Sequence, residues 1–291
     1  MDERMIKLLC VLAFVVLGPL VAGLLQGLDR KLTARLEGRV GPPILQPFYD
    51  VLKLFHKDKV VVNNLQIFFI IGYLVFIVFT GVLFFSGGDI LLVLFALTLA
   101  EIYLIMASCS SNSPYATMGA QRELIQMVAY EPMLLLVVIG FYKVTGSFSV
   151  RDIFFQNGPM IQYLPGMFIG FMVILTIKFR KSPFDLSTSH HAHQEMVKGS
   201  TVEFSGRVLG ITEIAHWYET IFLLGMVVLF FGFDNIASFV IGIIACGIAY
   251  FMEIMIDVTF ARMKWQMMLK ITWIVAVVLG MTNLLILNYF I

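Results

Sequence analysis

The stretch LLCVLAFVVLGPLVAGLLQGL, running from Leu8 to Leu28, carries no charged side chain. A helix rises about 1.5 Å per residue, so roughly 20 such residues cross the ~30 Å hydrocarbon core of a bilayer. The run is too long for a secretory leader, and no small-residue cleavage site precedes Asp29. Seven further long apolar runs follow, four of them interrupted by acids. The spans are predicted at residues 6–28, 66–88, 90–108, 124–142, 160–177, 208–231, 236–258 and 271–291.

Composition agrees. The 291 residues are 59% hydrophobic and 13% charged, and 27 of them are Phe. A soluble globule of this length has too little interior to hide so much apolar surface. A soluble enzyme is thereby excluded, and a net charge of +1 gives no footing for nucleic acid. The expected fold is an all-α membrane protein: eight transmembrane helices in one integral-membrane domain, residues 1–291, with long cytoplasmic loops. It would sit in the cell membrane as a multi-pass protein. Cys10, Cys109 and Cys246 lie far apart with no CxxC pair, so neither a zinc site nor an iron–sulfur cluster is legible.

Lys and Arg collect in cytoplasmic loops. Sixteen of the 20 fall in the loops after spans 1, 3, 5 and 7; only Arg4, Lys7, Lys143 and Arg151 lie on the other side. Both termini are therefore expected outside. In the first inner loop, Phe48, Val51, Leu52 and Phe55 recur at helical spacing opposite Asp50, Lys53 and Lys57. That pattern predicts an amphipathic interfacial helix over 47–57, either a surface anchor or a docking element. The loop from Phe179 to Ser205 is rich in Ser, His and charge, as a docking surface for a soluble partner would be.

Six carboxylates, Glu101, Glu131, Glu213, Glu219, Glu253 and Asp257, fall within or at the end of spans, whereas no Lys or Arg does except Lys7 at the outer end of the first. A lone charge in hydrocarbon costs several kcal/mol, so such acids face a watered cavity or hold a proton. Glu253 and Asp257 are one turn apart on one helix face and repel when both are ionised. Glu213, His216 and Glu219 step at i, i+3, i+6 on one side of another helix, a ladder of groups with different proton affinity. The plainer alternative is that each acid only hydrogen-bonds a neighbouring helix. Six acids without basic partners in the spans favour proton carriage. His190, His191 and His193 form an HHxH run with Glu195 nearby, but no Cys accompanies them, and polar contact with a partner explains them better than a metal.

Four loop motifs then become recognisable: DRKLTARLEGRVGPPILQPFYDVLKL (Asp29–Leu54), SNSPYATMGAQRELIQMVAYE (Ser111–Glu131), SPFDLSTSHHAHQEMVKGSTVEFSGR (Ser182–Arg207) and ARMKWQMMLK (Ala261–Lys270). Together they resemble the membrane subunit 1 family of respiratory complex I and its relatives in membrane-bound hydrogenases, over essentially the whole chain. The departures are specific. Pro42-Pro43 run almost directly into Leu45-Gln46-Pro47, Ser187-Thr188-Ser189-His190-His191 replace the usual acids after PFDL, and His216 stands where a Glu is usual. These features look like the Ech-type energy-converting [NiFe] hydrogenase branch.

The resemblance implies a non-catalytic membrane subunit with no cofactor of its own. It would dock hydrogenase large and small subunits and an iron–sulfur subunit on its basic face, beside an antiporter-like membrane subunit. The nickel–iron centre and iron–sulfur clusters would lie in those partners, with ferredoxin as donor. In the same terms Glu101, Glu131, Glu203, Glu213 and Glu219 match or neighbour acids joining the docking cavity to the ion path. Arg39, Asp50, Arg122 and Asp185 fall in the loop motifs lining that cavity, and His193, Glu195 and Arg207 lie in its third loop.

Overall fold

Helix α1, Glu3–Leu36, carries the apolar run and continues past it, because nothing in residues 29–36 breaks a helix. It stops before Gly38, whose φ of +73° is a left-handed conformation that favours glycine. The computed structural model describes residues 3–58, 63–156, 158–188, 196–233 and 236–290. His190, His191, His193 and Glu195 lie outside the described residues. Among those described there are helices and no strands.

Helix α2, Gln46–His56, opens with Pro47 in its first turn, where a missing N–H costs nothing. Helix α3, Asn64–Phe85, is capped by Asn63, whose side-chain oxygen accepts from the Leu65 N–H at 3.1 Å. Helix α4, Ile90–Cys109, is capped in the same way by Asp89, which accepts from the Leu91 N–H at 2.8 Å. Helix α5, Pro114–Thr145, starts well before the predicted span and carries Pro132 inside it. The short helix α6, Val150–Phe154, and helix α7, Pro165–Lys178, follow. Then come α8, Gly206–Phe231, and α9, Ile236–Thr259. Helix α10, Trp265–Val275, passes through a π-helical segment, Ala276–Met281, into α11, Thr282–Phe290.

Seven helical stretches among the described residues are long and apolar enough to cross a membrane. The predicted span at 160–177 does not form one helix of that length. A single 3₁₀ turn, Met160–Gln162, is followed by Tyr163 and Leu164 and then Pro165, which has no N–H to continue the ladder and restricts the residue before it. Helix α7 is therefore 14 residues long, about 21 Å.

Contacts group the chain into two units. The first comprises Met1–Ser86, Phe95–Leu124 and Asp185–Phe222. Here α1 packs on α2 and α3. Phe14 of α1 stacks on Phe85 at 4.9 Å. Helix α2 is not merely laid on a surface: Val51 is buried with Ala22 and Trp217, and Phe48 meets the Trp217 ring edge-on at 5.3 Å. The Trp217 Nε1–H donates to Gln26 Oε1 at 2.8 Å. Replacing Trp217 with Phe removes that donor and leaves a void among Ala22, Val51 and Phe48, so we expect a loss of about 2–3 kcal/mol of stability, read as a lower Tm.

The second unit comprises Gly87–Leu94, Ile125–Phe184 and Leu223–Ile291. Helix α7 packs on α9, α10, α11 and the π-helical segment. Phe141, Phe168 and Phe171 surround Phe230, with ring centroids 4.9, 5.3 and 5.8 Å away. Beyond α7 the turn at Pro183 is tied to the segment after α9, whose Met263 N–H donates to Pro183 O at 2.6 Å. Leu8, Leu12 and Val16 of α1 and Ile243, Ile244 and Ile248 of α9 remain exposed, as expected of helices whose solvent is lipid or another subunit.

Candidate functional site

In the first unit, α3 and α8 bring three polar groups together inside otherwise apolar helices. The Tyr73 hydroxyl lies 3.0 Å from His216 Nδ1 and donates to Glu219 Oε2 at 3.3 Å, and His216 Nδ1 is itself 3.3 Å from Glu219 Oε2. Tyr73 is fully buried and Glu219 nearly so. The i, i+3 spacing of His216 and Glu219 on one helix makes their contact. Tyr73 is supplied by the facing helix. Each atom of this triangle can hold or accept a proton, and all three are within hydrogen-bond reach. The predicted ladder is thus half assembled: His216 and Glu219 touch, whereas Glu213 is half-buried one turn earlier on α8. Tyr73, a lone hydroxyl in the run QIFFIIGYLVFIVF, is the member the sequence did not single out.

Glu101 is buried in α4 and Glu203 half-buried in the third inner loop, both in this unit. Glu131 is half-buried in α5, in the second unit. Also in the second unit, Glu253 and Asp257 share a face of α9. One expectation is corrected here. Asp257 does have a basic partner: Lys181 folds back from the loop after α7, its Nζ 3.4 Å from Asp257 Oδ2, and the Ser182 N–H donates to Asp257 Oδ1 at 2.9 Å. Counting bases within spans overlooks it, because the long lysine stem reaches about a turn from a residue outside the span.

The loop residues predicted to line a cavity are largely engaged within the chain. Arg122 pairs with Asp185 at 2.7 Å, both mostly buried, and Glu123 accepts from the Ser187 hydroxyl. Arg30 holds Asp50 at 2.6 Å, while Gln46 Nε2–H donates to its other oxygen at 2.9 Å, which ties α1 to α2. Arg39 is exposed and pairs with Glu37, and Arg207 is exposed in the first turn of α8. Among the described residues no group of three or more His, Cys, Asp or Glu is placed to hold a metal ion.

A multi-pass helical membrane protein with acids held between its spans and long, internally tied loops is the class these features define. The chain belongs to the NADH dehydrogenase subunit 1 family, whose pattern, described as NADH dehydrogenase, it matches over residues 6–288. Among its relatives is an NADH-quinone oxidoreductase subunit of Rhodospirillum rubrum, 27% identical over 278 residues, covering 84% of this chain and 82% of that protein. Hydrogenase-4 component C of Escherichia coli is 25% identical over 290 residues, covering 90% of each. A chain in the structure of the membrane-bound sulfane sulfur reductase, an archaeal respiratory membrane complex, superimposes with a TM-score of 0.83 at 26% identity, over 95% of this chain and 99% of that one.

Proposed function

We propose that this chain is the membrane-anchoring and proton-coupling subunit of an Ech-type energy-converting [NiFe] hydrogenase, linking ferredoxin-dependent hydrogen evolution to ion translocation. The coupling role rests on one observation above all, the contact of Tyr73, His216 and Glu219 inside apolar helices. Polar groups placed there at a cost in stability mark proton or ion paths. The hydrogenase branch is supported by the compact Pro42-Pro43 to Leu45-Gln46-Pro47 connection and by Ser187-Thr188-Ser189-His190-His191 in place of acids. The relation to hydrogenase-4 component C is in keeping with it.

In this reading α7 makes an eighth crossing, α2 lies at the interface, and both termini face outward. The basic inner face would receive the hydrogenase large and small subunits and an iron–sulfur subunit, with an antiporter-like subunit alongside. Electron transfer in the docked module changes the field at the inner loops. A shift of one pKa unit is worth about 1.4 kcal/mol, so modest field changes move protons between closely matched groups. Glu101, Glu131, Glu203, Glu213, His216 and Glu219, with Glu253 and Asp257, are the residues offered as the relay.

A second reading, the quinone-reducing subunit of a complex I-like dehydrogenase, is favoured by the relatives that are NADH-quinone oxidoreductase subunits. Isolating the complex and assaying nickel, bound quinone and ferredoxin-dependent hydrogen evolution separates the two. Nickel without quinone, with hydrogen evolved from reduced ferredoxin, is the expected result. Bound quinone without nickel overturns the first reading, and nickel with formate as the donor points to a formate hydrogenlyase instead. Glu131→Gln and Glu213→Gln are expected to uncouple gradient formation from turnover; vesicles in which both variants pump normally would remove these two from the relay.

A further inference from the structure

Glu253 presents a problem that the relay does not by itself explain. It is fully buried in α9, and neither carboxyl oxygen has a hydrogen-bond partner among the described residues. One turn further on, Asp257 is engaged by Lys181 Nζ at 3.4 Å and the Ser182 N–H at 2.9 Å. Lys181 is itself nearly buried.

The surrounding elements supply few other charges. Helix α7, packed on α9, carries one charged side chain, Lys178, whose Nζ lies 4.5 Å from the centre of the Tyr130 ring. The turn after it brings Arg180 and Lys181, and the segment after α9 brings Arg262 and Lys264. Tyr250, on α9 itself, meets Phe179 edge-on. Lys181 is the base in contact with this pair, its Nζ on Asp257, and Glu253 lies one helical turn from that ion pair.

One ammonium therefore stands beside a partly buried carboxyl, Asp257, with a fully buried one, Glu253, a helical turn away. It can neutralise one of them. With Lys181 on Asp257, Glu253 has no donor among the described residues to stabilise an ionised form, whereas Asp257 keeps the Ser182 N–H. Burying an unpaired carboxylate costs several kcal/mol, so Glu253 then holds a proton. Lysine suits the role, being a compact charge on a flexible four-carbon stem.

We propose that Lys181 is a positioning switch that decides which of Glu253 and Asp257 carries a proton. With Lys181 on Asp257, Glu253 is the neutral acid. When the ammonium moves to Glu253, the Glu253 O–H bond breaks and an O–H bond forms on Asp257, which has lost its counter-ion. Charge is conserved, no electron moves, and the proton travels one turn of α9, about 6 Å, towards the loop that holds Ser182. The switch rests on the proton-coupling reading given above and adds a control point to it.

The test uses the complete complex in proteoliposomes, driven by its own electron donor. Infrared difference spectra of the unaltered protein should show a protonated-carboxyl band that shifts in D2O and is lost in Glu253→Gln. In Lys181→Gln a second such band should appear, absent from the Lys181→Gln/Asp257→Asn double variant, and protons moved per electron should fall roughly tenfold. Lys181→Arg should keep the single band and most of the pumping. One unchanged band with unchanged pumping in Lys181→Gln overturns the switch. Should Lys181→Gln fail to assemble, Asp257→Asn decides the matter: the freed ammonium should ionise Glu253 and remove its band, and persistence of the band overturns the proposal. Glu219→Gln, run in parallel, keeps the two ideas distinct. If it pumps normally, the coupling reading fails; if it is uncoupled while Lys181→Gln is not, the switch alone fails.

Discussion

Glu219→Gln is expected to leave electron transfer largely intact while lowering gradient formation in vesicles by roughly a hundredfold, the scale set by removing one positioned proton-transfer group. Gln has nearly the shape of Glu and can still accept from the Tyr73 hydroxyl, so packing between α3 and α8 is retained. What it cannot do is take and release a proton. Tyr73→Phe should have a smaller effect, a fall of several-fold, because His216 Nδ1 and Glu219 Oε2 remain within 3.3 Å of each other without the hydroxyl. The order matters as much as the size. A structural contact predicts that Tyr73→Phe, which leaves a buried imidazole nitrogen and carboxylate short of one donor, lowers Tm more than Glu219→Gln does. A relay predicts that Glu219→Gln lowers pumping more, whatever happens to Tm. Proton pumping in Glu219→Gln equal to that of the unaltered complex would refute the relay through this contact.

The membrane-spanning helices were legible because hydrocarbon imposes one rule, that a spanning segment satisfies its own backbone and presents apolar side chains. Their ends were less so. The run Leu8–Leu28 marks the apolar part of α1, but the helix proceeds through Asp29, Arg30 and Lys31 to Leu36, since charge ends a membrane span without ending a helix. Residues 160–177 departed in the opposite sense: composition said span, and Pro165 divided the stretch into a turn and a 14-residue helix. The contact of His216 with Glu219 followed from spacing alone, being local to one helix. Tyr73 and Lys181 did not, because each reaches its partner across a long sequence separation, 143 residues for Tyr73 and 76 for Lys181. Periodicity carries no information about which helices face each other. The amphipathic spacing of Phe48, Val51 and Phe55 was legible, but it could not distinguish a helix resting on lipid from one packed on Ala22 and Trp217.

That packing makes Gly27→Ala the substitution with the largest expected effect on assembly. A Cβ at Gly27 would lie 1.8 Å from the backbone oxygen of Ile44 and 2.8 Å from its carbonyl carbon. No rotamer change relieves an overlap with backbone, so the chain entering α2 must move away from α1. Asp50 would then be drawn from Arg30, and Phe48 from the face of α1 at Gly23 and from the Trp217 ring. Overpacking with loss of an ion pair and an aromatic contact is expected to cost about 3 kcal/mol or more, seen as a clear fall in Tm and loss of the assembled complex from solubilised membranes. Gly18→Ala, earlier on the same helix, is the control. Its nearest neighbour would be Phe14 Cδ2 at 3.5 Å, ordinary contact. The two opposing local terms, helix propensity gained and the restriction on the residue before Pro19, should leave a change of about 1 kcal/mol or less. If α2 is only a loosely held surface anchor, the two alanines behave alike. If α2 is held through the close approach at Gly27, only that substitution separates the first inner loop from the helices it is tied to.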